Sequence, residues 1–299
     1  MTSTVAVFGL GAMGYGMAAS CLRAGLDVYG FDLAADRVAA FKAEGGKSGH
    51  AQDAAPDLDA VVVVVLNAAQ VEAVLFGENG IVPHLKPGAV VLACATVPPA
   101  FAKEMEARCG EHGVHYLDAP ISGGSIKAAE GKLSIMASGS ADAFSAADPV
   151  LKATAETVFR LGDQAGPGSA MKAVNQLLAG VHIATMAEAL TFGMTQDIAP
   201  ETFLEVISKC AGTSWMLENR APHIVAGDYT PHSQVNIWPK DLGIVLEAAK
   251  TAGFAAPIAE TALAQFQNAA AMGLGHEDDA AVAKVYAKQA GITLPKDTT

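Results

Sequence analysis

Three polar side chains share one face of an otherwise apolar stretch, GPGSAMKAVNQLLAGVHIATMAEAL, at residues 166–190. Lys172 is followed by Asn175 and Gln176, a spacing that places all three on one side of an α-helix. A lysine held among apolar neighbours can hydrogen-bond a reacting oxygen or exchange a proton with it. The same lysine taken alone reads as a surface residue whose stem covers apolar surface. A second group with chemical meaning opens the chain: VAVFGLGAMGYGMA carries Gly9, Gly11 and Gly14 in a G-x-G-x-x-G spacing. It follows a strand-like run and starts a helix-like one. In that context Gly9 permits a tight turn, Gly11 lets the backbone approach a pyrophosphate, and Gly14 lets the helix pack on the strand. The helix N-terminus then turns its N–H groups toward phosphate. Leu10, Ala12 and Met13 complete the loop. Asp32 ends the next strand, where a carboxylate accepts from adenine-ribose hydroxyls and repels a 2′-phosphate, so the expected cofactor is NAD rather than NADP. Arg37, further along, is a cation within reach of such a phosphate.

These groups need a frame. TVAVFG (4–9), DVYGFD (27–32), AVVVVVL (60–66) and AVVLAC (89–94) read as strands, and HYLDA (115–119), LSIMASG (133–139) and VFRLG (158–162) are expected to continue the same sheet. Helix-like segments, Met13–Ala24, Ala34–Glu44 and Pro98–Cys109, lie between them. That alternation implies βαβ units and a doubly wound parallel sheet. The wholly apolar run at 61–66 suits a central strand covered on both faces. After Gly168 strand signals fade and long helical patterns take over. The fold expected is α/β, with a Rossmann-type domain over 1–164 followed by an all-α domain over 165–299 and a hinge helix from about residue 169. The terminal LPKDTT is expected to fray.

With 299 residues, 17% of them charged, and a net charge of -12, the chain has the composition of a folded protein with an acidic surface. That surface argues against nucleic acid and anionic membranes as partners. Four cysteines without a C-x-x-C pair, and histidines without ligand spacing, give no expectation of metal. Reduced cysteines and an N-terminus lacking a basic, cleavable leader give a cytoplasmic expectation. The apolar stretch at about 173–187 is expected to be too short, and too interrupted by Asn175, Gln176 and His182, to span a bilayer.

At DAPISGGSIKAAEGKLSIMASG (118–139) the chain resembles the β-hydroxyacid dehydrogenases, the 3-hydroxyisobutyrate dehydrogenase-like family. The other marks of that family follow in order: the Gly9–Gly14 loop, CAT ending at Thr96, Gly166-x-Gly168 with Lys172 and Asn175, and the late pair Lys240-Asp241. The resemblance implies a cofactor site that also includes Leu66, Asn67, Thr96 and Lys240. It implies a substrate site of Ser122, Gly123, Gly124, Asn175, Gln176 and Ser214, with Lys172 as the catalytic acid or base. Lys240 alone also reads as a helix-start lysine paired with Asp241, and Trp215 as either pocket wall or core. His182 reads as a core histidine at least as readily as a site residue. Gln176 stands where the family commonly has Asn, Pro239 precedes Lys240, and Leu66-Asn67-Ala68 replaces the usual Leu-Pro.

Within the family, NQLLAGVHIA (175–184) and GTSWMLENRAPHIVAGDYTPHSQVNIWPKDLGIV (212–245) are most similar to L-threonate dehydrogenases. The implied activity is NAD-dependent oxidation of a small polyhydroxy carboxylate, L-threonate to 2-oxo-tetronate. The alternatives are a 3-hydroxyisobutyrate dehydrogenase, a tartronate or succinate semialdehyde reductase, and a non-catalytic nucleotide-binding module. Apolar surface on the helical half gives the expectation of a homodimer or homotetramer packed through that half.

Overall fold

The computed structural model describes residues 2–296, so Asp297–Thr299 of the LPKDTT tail lie outside the described residues. β1 (Thr4–Phe8), β2 (Asp27–Phe31), β3 (Ala60–Val63), β4 (Val90–Ala93) and β5 (His115–Asp118) form a parallel sheet in the order β2-β1-β3-β4-β5. Val5 stands beside Val28 and Ala60, and Val91 beside Val61 and Tyr116. α1 (Ala12–Arg23), α2 (Ala35–Ala43), α3 (Ala51–Ala54), α4 (Ala68–Phe76) and α5 (Pro99–Glu111) make the crossovers. Successive strand residues point to opposite faces, and the two faces feed two cores. Val5, Val7, Val62 and Leu92 pack with Met17 and Phe144. Ala6, Val61, Val63 and Val91 pack with Leu75 and Met105. This is the doubly wound arrangement that all-apolar parallel strands require.

The strands beyond β5 depart from expectation. β6 (Ile121–Ser122), β7 (Leu133–Ala137) and β8 (Ala155–Arg160) form a separate three-stranded sheet, β6-β7-β8, with β6 and β7 antiparallel. Pro120 follows β5 closely and has no N–H to extend a ladder. β7 touches β5 through one isolated antiparallel bridge, Asp118–Ser138. α6 (Gly124–Glu130) and α7 (Ala141–Thr154) connect this second sheet.

The chain divides into two compact units, Met1–Lys172 and Ala173–Thr299. The division falls inside α8 (Pro167–Thr195), a helix of 29 residues. The helix is therefore longer than the apolar stretch suggested. Its most apolar window, of mean hydropathy 1.4 and 44% buried, meets the length and composition of a bilayer span. Shortness thus supplies no argument against one. Lys172 and Gln176 on this helix are nonetheless buried and hydrogen-bonded to other protein groups.

The second unit continues with α9 (Pro200–Ile207), α10 (Trp215–Ala226), α11 (Ile237–Thr251), α12 (Pro257–Ala269) and α13 (Ala283–Ala290). Pro200 and Pro257 open their helices, where a missing N–H costs nothing. Its core gathers Ile183, Leu190, Leu242 and Val282 around Trp238, which stacks on Phe266 with ring centroids 5.4 Å apart, a favourable separation for an aromatic pair.

Candidate active site

The glycine loop is a close fit of main chain to main chain. Gly9 N donates to Phe31 O at 2.8 Å. A Cβ on Gly9 would lie 2.3 Å from Val64 O, and one on Gly14 only 1.8 Å from Gly9 O. Both positions therefore require glycine, and α1 sits directly on the turn. Gly11 caps α1 and has no side chain with which to bond its first-turn N–H groups. Asp32 Oδ2 accepts from Leu10 N at 2.6 Å, and Oδ1 accepts from Ala34 N at 2.8 Å. Each carboxylate oxygen retains a second acceptor position. Arg37 Nη1 lies 3.8 Å from Asp32 Oδ2.

Beside the loop is a cavity of 590 Å³ lined by Leu10, Gly11, Ala12, Tyr15, Arg37 and Ser125, among others. Glycine in the lining, the N-terminus of α1 and a carboxylate at the end of β2 together suit a dinucleotide. Tyr15, Ser125 and Ile126 line this cavity although their spacing announced nothing; Tyr15 sits within the glycine motif and Ser125 directly follows Gly124. Of the remaining cofactor candidates in this unit, Met13 is half-buried on α1, Thr96 is half-buried beyond β4, and Leu66 is exposed. Asn67 caps α4 by accepting from Gln70 N at 2.9 Å, while Gln70 Oε1 accepts from Leu66 N at 2.8 Å.

Lys172 is buried on α8, and its Nζ donates to Ile121 O at 2.8 Å. Ile121 belongs to β6 and immediately precedes the Ser122-Gly123-Gly124 turn. Gly123 and Gly124 have φ of 135° and 77°, a left-handed path that glycine adopts without strain. The candidate base and the candidate carboxylate cradle are thus fastened to each other. Asp118, at the start of the same motif, is 1% exposed and accepts from Gly166 N, Ser169 N and Ser169 Oγ. Burial pushes its carboxyl above the ordinary value, opposed by the bonds from Ser169, Gly166 and Ser138. Behind the loop, burial lifts the Cys94 thiol to about 12, so it stays protonated at neutral pH.

In the second unit, Asn175 Nδ2 donates to Gln176 Oε1 at 2.9 Å, and Gln176 Nε2 donates to Asp241 Oδ2. Asp241 also pairs with Lys240 at 2.6 Å. Gln176 is buried, and its amide ties Asn175 to the start of α11. Ser214 is the N-cap of α10, its hydroxyl accepting from Leu217 N at 3.1 Å. Trp215 is 58% exposed and is not a core residue. His182 is half-buried. A buried charge network elsewhere in the unit joins Arg220 to Asp279 at 2.5 Å and His223 to Asp278 at 2.9 Å, with Trp238 Nε1 donating to Asp279. Among the described residues no group of three or more His, Cys, Asp or Glu is placed to hold a metal.

Residues 4–162 match the NAD binding domain of 6-phosphogluconate dehydrogenase, and residues 166–286 match the NAD-binding domain of NADP-dependent 3-hydroxyisobutyrate dehydrogenase. The chain is 48% identical to the L-threonate dehydrogenase of Escherichia coli K12, over 97% of this chain and 96% of that protein. It is 47% identical to the L-threonate dehydrogenase of Cupriavidus necator, over 99% of both. A crystal structure described as 3-hydroxyisobutyrate dehydrogenase from Salmonella typhimurium superposes with a TM-score of 0.90 at 46% identity, covering 95% of this chain and 99% of that one. The glycine loop, the Lys172 helix and these full-length likenesses agree, and the chain belongs to the 3-hydroxyisobutyrate dehydrogenase-like family of NAD-dependent hydroxyacid dehydrogenases.

Proposed function

We propose that this protein oxidises the alcohol of a small polyhydroxy carboxylate, L-threonate, to the 2-oxo acid, with Lys172 as the acid–base group. The observation that carries the chemistry is the placement of Lys172: buried, and bonded to the carbonyl that precedes the Ser122-Gly123-Gly124 turn. NAD, when bound, supplies the acceptor for the hydride leaving the alcohol carbon. The protein's own part is to hold the substrate and handle its hydroxyl proton. Ser122 Oγ and the N–H groups of the glycine turn bind the carboxylate. Lys172 Nζ donates to Ile121 O, which holds the amine beside the glycine turn. In the proposed pose the neutral amine of Lys172 accepts the hydroxyl proton as the alcohol carbon is oxidised and becomes an ammonium; in the reverse direction that ammonium returns the proton to the carbonyl oxygen.

Asn175, Gln176 and Ser214 on the substrate side, and Lys240 with Leu66, Asn67 and Thr96 on the cofactor side, belong to the same proposal on the strength of the family resemblance. Asp32 and the α1 N-terminus support NAD over NADP. L-threonate is favoured by the two L-threonate dehydrogenases at 47–48% identity. The second reading, a 3-hydroxyisobutyrate dehydrogenase, is favoured by the likeness to the Salmonella 3-hydroxyisobutyrate dehydrogenase structure at 46% identity. Initial rates with NAD and NADP over L-threonate, D-erythronate, D-glycerate, 3-hydroxyisobutyrate and 4-hydroxybutyrate decide between them. A preference for L-threonate with NAD is expected; a preference for 3-hydroxyisobutyrate overturns the substrate and leaves the acid–base chemistry standing.

A further inference from the structure

Asp118 ends β5 and is 1% exposed, yet it carries a carboxylate. Its Oδ2 accepts from Gly166 N at 2.9 Å and Ser169 N at 2.8 Å, and its Oδ1 accepts from Ser169 Oγ at 2.7 Å. Ser138 Oγ donates to Oδ2 at 3.3 Å and itself accepts from Gly168 N at 2.9 Å. Main-chain N–H groups at 166, 168 and 169 therefore end on one carboxylate, directly or through one hydroxyl. These are the donors a helix start leaves unsatisfied, and a negative charge there also meets the positive end of the helix. The contact is close as well as polar: a Cβ on Gly168 would lie 2.5 Å from Met136 O and 2.7 Å from Asp118 O. Further along the same segment, Ile121 O accepts from Lys172 Nζ. One short segment thus holds α8 at two points, by its first-turn main chain and by the lysine. A buried carboxylate is costly unless fully bonded, so its presence here calls for a role that an apolar residue would not fill.

We propose that Asp118 is a positioning residue for the reaction: it fixes the register between the first turn of α8 and the 118–124 segment, and so fixes where Lys172 Nζ stands relative to the Ser122-Gly123-Gly124 turn. This rests on Lys172 acting as the acid–base group. An Asp118→Asn side chain keeps the size but has one acceptor oxygen and an amide that donates, so it cannot hold every donor in place. A displacement near 1 Å at a reacting group costs on the order of 100-fold. The test is a double-mutant cycle of Asp118→Asn and Lys172→Ala in the full-length enzyme. It reads kcat with L-threonate, or with whichever acid of the panel the wild type oxidises fastest, together with KM for NAD. Asp118→Asn is expected to lower kcat about 10- to 100-fold with KM for NAD unchanged, and to add no further loss in the Lys172→Ala background. Ser169→Ala, which removes one bond, is expected to show a smaller loss of the same pattern and serves if Asp118→Asn does not fold. Full kcat in the folded Asp118→Asn or Ser169→Ala variant, beside a crippled Lys172→Ala, removes the positioning role and leaves the lysine assignment intact. An equal loss with and without Lys172 also overturns it, because Asp118 would then act elsewhere. Full kcat in Lys172→Ala instead removes the lysine assignment itself.

Discussion

Lys172 combines burial with a hydrogen bond from Nζ to a main-chain oxygen, an arrangement that fixes Nζ more tightly than a surface lysine is held. Replacing it with alanine is expected to lower turnover by about 10²- to 10⁴-fold, the usual range for an acid–base group. Steady-state rates with saturating NAD check this, and wild-type turnover in the folded variant would remove the role. At this scale the sequence was informative where the chemistry is local. Gly9, Gly14 and Asp32 stand in the spacing of a nucleotide turn, and the steric closeness at Gly9 and Gly14 is what that spacing encodes. Asp118 heads the recognised 118–139 motif, but nothing in the sequence named Ser138 and Ser169 as its partners. Their bonds join positions far apart in the chain, and no spacing announces a partner that only folding brings near.

Among the elements, α8 carries most of the consequence. Its start is seated against β5 and β7 because residue 168 has no side chain. Gly168→Ala must push Met136 O or Asp118 O aside, and is expected to destabilise the protein by roughly 1–3 kcal/mol, as overpacking does. Thermal unfolding of the variant measures it; an unchanged midpoint would show that α8 is not seated this closely. The five parallel strands were legible because apolar runs of β-branched residues between helical segments have few other solutions. The split after β5 was not. β7 reads as the same short apolar strand whether it adds to the first sheet or starts another; in the fold Pro120 follows β5, and the two strands meet only at the isolated Asp118–Ser138 bridge among the described residues. The helix was expected from about residue 169; α8 begins at Pro167 and runs on to Thr195, its first-turn N–H groups satisfied by distant side chains.

Across the whole molecule, the second unit stakes part of its stability on buried charge. Burial pushes the Asp278 carboxyl up, but the bond from His223, the N–H groups of His232 and Ala280, and the Arg220 charge outweigh it and hold it down at about 2. Asp279, which shares Arg220 and accepts from Trp238, is driven upward by burial, against the pull of Arg220. A carboxyl depressed in the folded state stabilises at pH above its unfolded value near ~4, and that contribution is lost as pH falls toward about 2. Asp278→Asn is therefore expected to be less stable than wild type at neutral pH but to lose less on acidification. Thermal midpoints of both proteins from about pH 5 to about pH 3 check this; parallel curves would show that Asp278 is not held this way. Exposed apolar side chains in the same unit, Val174, Leu178, Phe192 and Ile258, support the proposal of a homodimer or homotetramer packed through it. Light scattering is expected to give a mass of two or four chains, and a monomeric mass would end that proposal.

The sequence by itself determined the α/β class, the nucleotide turn, the carboxylate at the end of β2 and the lysine on a long helix. Each depends on residues close together in the chain, where periodicity and glycine placement leave few conformations open. Tertiary structure alone decided that Lys172 bonds Ile121 O, that Asp118 gathers the first turn of α8, that Gln176 joins Asn175 to Asp241, and that β7 leaves the main sheet. These are contacts between distant segments, fixed by which donors and acceptors must be satisfied once the backbone is buried, and a linear pattern does not record that condition.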